Sequence, residues 1–268
     1  MEYAKIGFIG LGNMATAMIS GMLKEQIVAP ADIIGKARTA GTEEKVQERF
    51  QIEIAPDNAT VARQADILFL AVKPIYFPEI IAQIRAELRP GTRIVSIAAG
   101  KTIAYLKKAI DRPDCKLIRC MPNTPALVLE GCTGVCAEDT VTQEELEEVL
   151  TLLRSFGVAS VVPERLMDVV VGVSGSAPAY VFLFIEAMAD EAVAEGMPRK
   201  QAYEFAAQAV LGSARMVLET GKHPGELKDM VCSPGGTTIQ AVKVLEEQGL
   251  RAAVMDAMEA CIEKSRNL

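Results

Sequence analysis

The sequence contains no tryptophan and one histidine, and only about a twentieth of it is aromatic. Its core must therefore come from Ala, Val, Ile and Leu, which favours Ala-rich helices packed closely together and an α/β sheet. A basic excess is also missing. Lys and Arg number 28 against 35 Asp and Glu, the net charge is −7, and the cations are scattered, which argues against a nucleic-acid partner. No secretory pattern precedes the first strand, since Met1-Glu2-Tyr3-Ala4-Lys5 runs straight into it. The densest apolar run, Ala179 to Ile185, is too short to cross a bilayer and meets Glu186. On these grounds the chain is expected to be soluble and cytoplasmic, with no membrane partner. The six cysteines (Cys115, Cys120, Cys132, Cys136, Cys232 and Cys261) lie mostly among apolar residues. They read as buried reduced thiols, and the Cys132–Cys136 spacing without a nearby histidine is a weak metal signal.

What is present is an apolar half of a 268-residue chain, enough for one large or two modest domains. Strands are expected over residues 5–10, 32–35, 67–72, 93–98 and 116–121, and helices over 13–23, 43–50, 78–88 and 103–109. The run Ile67-Leu68-Phe69-Leu70-Ala71-Val72 has the continuous apolar character of a central parallel strand covered on both faces. Alternation of strand and helix is the signature of an N-terminal Rossmann-like, doubly wound α/β domain over residues 1–163. From Glu164 onward no strand is expected, and residues 164–268 read as an all-α domain for dimerisation and substrate binding. Pro178 and Pro198 sit at helix starts, Gly196 and Gly221 at helix ends, Pro224 at the start of a short helix, and Thr238 begins a last segment broken near Gly249. The helix from Pro178 is apolar nearly all round in its first half, Tyr180 to Ile185, so a second subunit is expected to cover it.

Two glycine-rich loops carry the chemistry. Gly10-Leu11-Gly12-Asn13-Met14-Ala15 follows a strand and opens a helix. Its glycines permit a tight turn and close approach of a pyrophosphate, and Ala15 lets helix and strand pack closely. At the end of the second strand, Gly35-Lys36-Ala37-Arg38-Thr39 has no acid for ribose hydroxyls. Lys36, Arg38 and Thr39 suit a 2′-phosphate, which favours NADPH, with NADH possible. Further strand ends offer Ala71-Val72-Lys73-Pro74, the small residues Ala98-Ala99-Gly100 with room for a nicotinamide, and Met121-Pro122-Asn123-Thr124-Pro125 with an amide and a hydroxyl. The second glycine loop, Ser233-Pro234-Gly235-Gly236-Thr237-Thr238, stands at the mouth of a helix. There, free backbone N–H groups and the helix dipole suit a small anion.

On these motifs, together with Ser174-Gly175-Ser176 and Pro178-Ala179-Tyr180, the whole chain resembles pyrroline-5-carboxylate reductase. The resemblance implies reduction of a cyclic imine acid to L-proline with NADPH or NADH. The N–H groups of Gly235, Gly236 and Thr237 would bind the substrate carboxylate, with Ser233 and Ser176 as further substrate contacts. The Thr238 hydroxyl would serve the ring nitrogen as the catalytic group, and Asn58 and Asn123 would contact the cofactor. It also implies a homodimer whose helical domains swap around a two-fold axis, each cleft completed by the neighbouring subunit, and a possible decamer. Two departures from the family pattern stand out. Ala177 replaces a glycine and Val171 a threonine, the latter removing a hydroxyl near the substrate. The alternatives are a catalytically weak NADP-binding paralogue with a regulatory role, or a reductase of another cyclic imine acid.

The lone His223, between Lys222 and Pro224, reads as a surface or capping residue. A ketone reductase needs a proton donor, usually His or Lys. A ring imine is protonated before hydride arrives and needs no strong acid. The stretch Ser174 to Glu195 also contains no lysine, which argues against a 3-hydroxyacid dehydrogenase.

Overall fold

The computed structural model describes residues 4–267, so the sequence expectation for Met1, Glu2 and Tyr3 lies outside the described residues. The chain opens with strand β1 (Ile6–Ile9), helix α1 (Asn13–Lys24), β2 (Ile33–Lys36), α2 (Ala40–Phe50), β3 (Glu53–Ile54) and α3 (Asn58–Gln64). It continues through β4 (Ile67–Leu70), α4 (Phe77–Ile84), β5 (Arg93–Ser96), α5 (Ile103–Ile110) and β6 (Lys116–Met121). Then come β7 (Gly131–Ala137), α6 (Gln143–Arg154) and β8 (Gly157–Val161). Among the described residues these strands form one eight-stranded sheet, in the order β3-β2-β1-β4-β5-β6-β7-β8.

The strand faces alternate as the pleat requires. Ile6 and Phe8 of β1, with Ile67 and Phe69 of β4, point into a core closed by α1, α2 and α6. Ile9, Leu68 and Leu70 point into a second core under α3, α4 and α5. Phe8 and Phe69, cross-strand partners in β1 and β4, stack at 4.8 Å between ring centroids. Both layers are therefore filled mainly by aliphatic side chains, as the near-absence of aromatics requires.

The doubly wound α/β reading holds, with one interruption. β6 and β7 are joined by a 3-10 turn, Thr124–Val128, without a crossover helix, and β7 runs antiparallel to β6. A crossover long enough to return the chain to the same end of the sheet is what parallel pairing needs. α6 restores that connection, and β8 is again parallel to β7. α6 carries its own start signal, a capping box in which Thr142 and Glu145 bond each other's backbone N–H. Element ends differ from expectation by a residue or two, except at α2, which starts at Ala40, three residues before the expected Glu43, and at α4. That helix stops at Ile84, short of the expected Leu88, and is preceded by a 3-10 turn at Pro74–Tyr76.

After Val161 the chain is helical, as expected. α7 (Met167–Val170) leads into a π-helical turn, Val171–Gly175, followed by α8 (Ala177–Ala194), α9 (Arg199–Thr220), α10 (Pro224–Val231), α11 (Thr237–Glu247) and α12 (Leu250–Arg266). Gly196, Gly221 and Gly249 all have positive φ at the breaks between helices.

Two compact units result. One comprises the residues up to Ser176 together with those from Cys261 on; the other is Ala177–Ala260. Residues 164–176 belong to the first because Met167, Val170, Val171 and Ser174 are buried there and Ser265 donates its hydroxyl to Asp168 at 2.7 Å. The second unit has almost no core of its own. Its buried cluster is Ala189, Ala202 and Ala206, while Phe182, Leu183, Phe205 and Leu218 are exposed.

The helical stretch Glu164–Ala194 is, by length and composition only, apolar enough to cross a membrane, longer than the run Ala179 to Ile185. Its first part is packed inside the first unit, where Val170 lies against Gly134 of β7. Its second part, α8, carries Glu186, Asp190 and Glu191. Neither part has the character of a lipid-facing span.

Candidate active site

The carboxyl ends of β1, β2 and β4 open onto a cleft of about 330 Å3, at the place in the strand order where a doubly wound sheet binds its ligand. The cleft is lined by Gly10, Leu11 and Gly12, by Lys36, Arg38 and Thr39, by Asn58, and by Val72 and Lys73. Gly10 has φ +95°, and a Cβ there would stand 2.4 Å from the Ala71 carbonyl oxygen, so only glycine fits. Gly12 is the N-cap of α1 with no side-chain cap, and a Cβ there would meet nothing within 4 Å. The first-turn N–H groups of α1 have no intrahelical acceptors. Open space before them, at the positive end of a helix, fits a diphosphate.

The side chains of the loop face elsewhere. Leu11 is buried with its tip against Gly35, Ala15 is buried in the core, and Met14 packs on that core. Asn13 is exposed at the start of α1. Ala71 and Pro74 flank Val72 and Lys73 without lining the cleft, and Ala98, Ala99 and Gly100 lie beyond it, Ala98 being buried.

The basic loop after β2 is not a uniform patch of cations. Lys36 is paired with Glu43 at 2.9 Å, and Glu43 also accepts the Ala37 N–H at 3.0 Å. Arg38 is the exposed cation of the three. Its guanidinium donates to the Tyr76 hydroxyl at 2.6 Å and lies 5.2 Å from the centre of the Tyr76 ring. Thr39 and Thr42 share a hydroxyl–hydroxyl bond of 2.9 Å. Thr42, Tyr76, Glu79, Ile80 and Gln83 join the lining, all missed from sequence. The only sequence signal toward Tyr76 was the Lys73-Pro74 turn, which folds it back to Arg38. Asn58, the first residue of α3, donates to Gln83 at 2.7 Å at the cleft edge.

Asn123 lies apart from the cleft lining. Only 7% exposed, it has both ends of its amide engaged by the protein. Nδ2 donates to the Ser174 carbonyl at 3.0 Å, and Oδ1 accepts the Cys132 N–H at 2.8 Å. It ties the exit of β6 to β7 and to the π-helical turn rather than lining the cleft. Ser176 follows that turn, and its Oγ lies 3.2 Å from the Cys261 thiol.

The second glycine loop belongs to the other unit. Gly236 donates its N–H to the Ser233 carbonyl at 3.0 Å, closing a turn over Pro234 and Gly235, with Gly235 at φ +70°. Proline followed by a positive-φ glycine is the type II arrangement. Gly236 is the N-cap of α11 with no side-chain cap, so helix geometry leaves the N–H groups of Thr237 and Thr238 facing outward. A Cβ on Gly236 would stand 2.3 Å from Ser233 Oγ. Thr237 is exposed and Thr238 half-buried at this mouth. α11 starts at Thr237, one residue before the expected Thr238.

The one histidine is engaged as a helix cap. His223 is the N-cap of α10, its Nδ1 accepting the Gly225 N–H at 3.0 Å, so it is a capping residue. Burial pushes the Cys115 and Cys136 thiols up to about 11 and raises Cys120 further, so none of the three is a thiolate at neutral pH.

Residues 164–268 match the family model described as pyrroline-5-carboxylate reductase dimerisation, and residues 5–100 match one described as NADP oxidoreductase coenzyme F420-dependent. A pyrroline-5-carboxylate reductase of Escherichia coli (strain K12) is 53% identical over 264 residues, covering 98% of each chain. A solved pyrroline-5-carboxylate reductase from Coxiella burnetii is similar at a TM-score of 0.92 and 33% identity, over 98% of each chain. A Plasmodium falciparum pyrroline carboxylate reductase solved with NADP bound is similar at 0.89 and 31%, over 100% of this chain and 98% of that one. With kinship along its whole length, the chain belongs to the pyrroline-5-carboxylate reductase family.

Proposed function

We infer that the chain reduces L-1-pyrroline-5-carboxylate to L-proline by hydride transfer from NAD(P)H, the last step of proline biosynthesis. The observation that carries this reading is the pair of uncapped, glycine-led helix starts at Gly12 and Gly236. One is flanked by the cation of Arg38 and the other by two threonine hydroxyls. Bound NADPH would supply the hydride.

The residues of the chain then have distinct tasks. The N–H groups at Gly10 to Ala15 hold the diphosphate. Arg38, with the hydroxyls of Thr39 and Thr42, takes the 2′-phosphate, which makes NADPH the preferred cofactor. Lys36 contributes less, because Glu43 already neutralises it. Asn58, Val72 and Lys73 line the wall along which the ribose and nicotinamide lie. The Gly235-Gly236-Thr237 backbone clamps the substrate carboxylate, helped by Ser233 and Ser176. Charge-assisted hydrogen bonds of this kind contribute about 1.5–3 kcal/mol each. Thr238 orients the ring nitrogen. That nitrogen enters protonated as the iminium, the hydride adds to the imine carbon, and the π pair becomes the amine lone pair of proline.

Residues 164–268 form the dimerisation and substrate-binding part of this reading, and residues 1–163 the cofactor-binding part. The second unit supports a homodimer, since a core of three alanines leaves Phe182, Leu183 and Phe205 needing cover. Assembly into a decamer and a cytoplasmic location belong to the same reading. The test is NADPH oxidation with pyrroline-5-carboxylate, repeated with NADH and with the six-membered imine acid. Formation of proline at a higher kcat/KM with NADPH is expected, and absence of proline would overturn the assignment.

A further inference from the structure

We infer that Cys261 is a positioning residue, which holds the Ser176 hydroxyl as an acceptor and so leaves its proton free to donate to the substrate. This rests on the reading that Ser176 contacts the imine acid. The backbone that delivers Ser176 is fixed on every side. The Ser176 N–H closes the π-helical turn onto the Val171 carbonyl at 2.8 Å. Within the turn, the Ser174 hydroxyl donates to the Val170 carbonyl at 3.0 Å, and the Ser174 carbonyl is held by Asn123. Single π-helical turns inside helices recur at functional sites, where they displace one residue from the regular ladder.

The hydroxyl itself is not fixed by that backbone, because a serine rotor has three staggered settings. Cys261 selects among them. Its sulfur lies 3.2 Å from Ser176 Oγ, across 85 residues of sequence. Ser265, four residues further along α12, donates to Asp168 at 2.7 Å. Residues four apart share a helix face, so one face of α12 grips the 168–176 segment at two points. The polarity follows from the chemistry of the two groups. A thiol is a weak donor, and its sulfur is a weaker acceptor than a hydroxyl oxygen. A hydroxyl donating to sulfur would engage the stronger donor with the poorer acceptor. The thiol donating to oxygen leaves the serine proton for a carboxylate, which only accepts.

The test is steady-state kinetics on the full-length protein. Cys261→Ala should raise KM for pyrroline-5-carboxylate about three- to fivefold, the worth of one modest hydrogen bond. KM for NADPH and the melting temperature should stay at their starting values. Cys261→Ser, which restores a donor, should recover the original KM. In a Ser176→Ala background, Cys261→Ala should add no further loss, because the two groups act as one. Cys261→Val, close to cysteine in size and without a donor, makes the same comparison if the alanine variant melts early. An impaired Ser176→Ala beside unchanged Cys261→Ala and Cys261→Val would overturn the positioning role and leave the Ser176 contact standing. An unimpaired Ser176→Ala would remove both.

Discussion

Replacing Arg38 with alanine separates the two nicotinamide cofactors. Of the three residues offered by the loop after β2, Lys36 is bound to Glu43 and Thr39 is bonded to Thr42, which leaves Arg38 as the available cation. It is also held in place, with its guanidinium on the Tyr76 hydroxyl and over the Tyr76 ring. A charge-assisted bond from such a group to a phosphate contributes about 1.5–3 kcal/mol. Arg38 is exposed, so solvent screening places the effect at the lower end, about tenfold in kcat/KM at roughly 1.4 kcal/mol per decade. NADH has no 2′-phosphate for Arg38 to hold and should lose less than NADPH does. The assay is initial-rate oxidation of each cofactor at low ionic strength, repeated in high salt, where the NADPH advantage should shrink. Lys36→Ala is the internal control and should cost NADPH less than Arg38→Ala does. Equal losses with NADPH and NADH, or a larger effect at Lys36 than at Arg38, would refute the assignment of the 2′-phosphate to Arg38.

Glu43→Gln should release Lys36 while keeping an acceptor for the Ala37 N–H, and so lower KM for NADPH about two- to fivefold, measured in the same assay. Thr238→Ala should reduce kcat and leave KM for NADPH unchanged, while Thr238→Ser retains most of the rate. Unchanged turnover in the alanine variant removes Thr238 from its role. A paired Phe182→Glu and Leu183→Glu change should convert the dimer to monomer, read by size-exclusion with light scattering; a dimer that persists would mean the α8 face is not the contact. Raised thiol pKa values mean that Cys115, Cys120 and Cys136 stay protonated well above neutrality. A maleimide at pH 7.5 should therefore reach at most Cys132, Cys232 and Cys261 in the folded protein, with the other three modified only in denaturant, as checked by peptide mass mapping.

Much of the sheet was readable because its central strands are buried on both faces, and continuous apolar runs such as Ile67 to Leu70 have few other homes. The helical half was readable from its punctuation, with proline at starts and positive-φ glycine at ends. β7 was not readable. Gly131-Cys132-Thr133-Gly134 shows neither alternation nor an apolar run, and its antiparallel placement follows from a short turn rather than from its own residues. The candidate site divides in the same way. Loops whose chemistry lies in the backbone were legible because glycine is demanded at Gly10, by a positive φ and a close carbonyl, and at Gly235, by a positive φ, while Gly12 leaves open space at the helix mouth. Side chains that act through partners were not. Lys36 looked free until α2 placed Glu43 beside it, Asn123 looked available until β7 and the π-helical turn engaged its amide, and Tyr76 reached Arg38 only through the fold.

The engagement of the one histidine as a cap finally bears on what kind of bond is reduced. Hydride addition to a ketone leaves an alkoxide that must be protonated as it forms, and a histidine or lysine is the usual donor. Here the one histidine caps α10 through the nitrogen that accepts the Gly225 N–H, and α8 contains no lysine. What the second glycine loop offers instead is a row of neutral donors at a positive helix end. Such a mouth stabilises a carboxylate that is charged before and after the reaction, and it provides no proton of its own beyond a threonine hydroxyl. A substrate suited to it must carry both the anion and its proton already. An imine acid does, because its nitrogen is basic enough to arrive as the iminium, and hydride then neutralises a cation instead of creating an anion. The second glycine loop, Ser233 to Thr238, contains no titratable side chain, and that fits the imine reduction proposed for it.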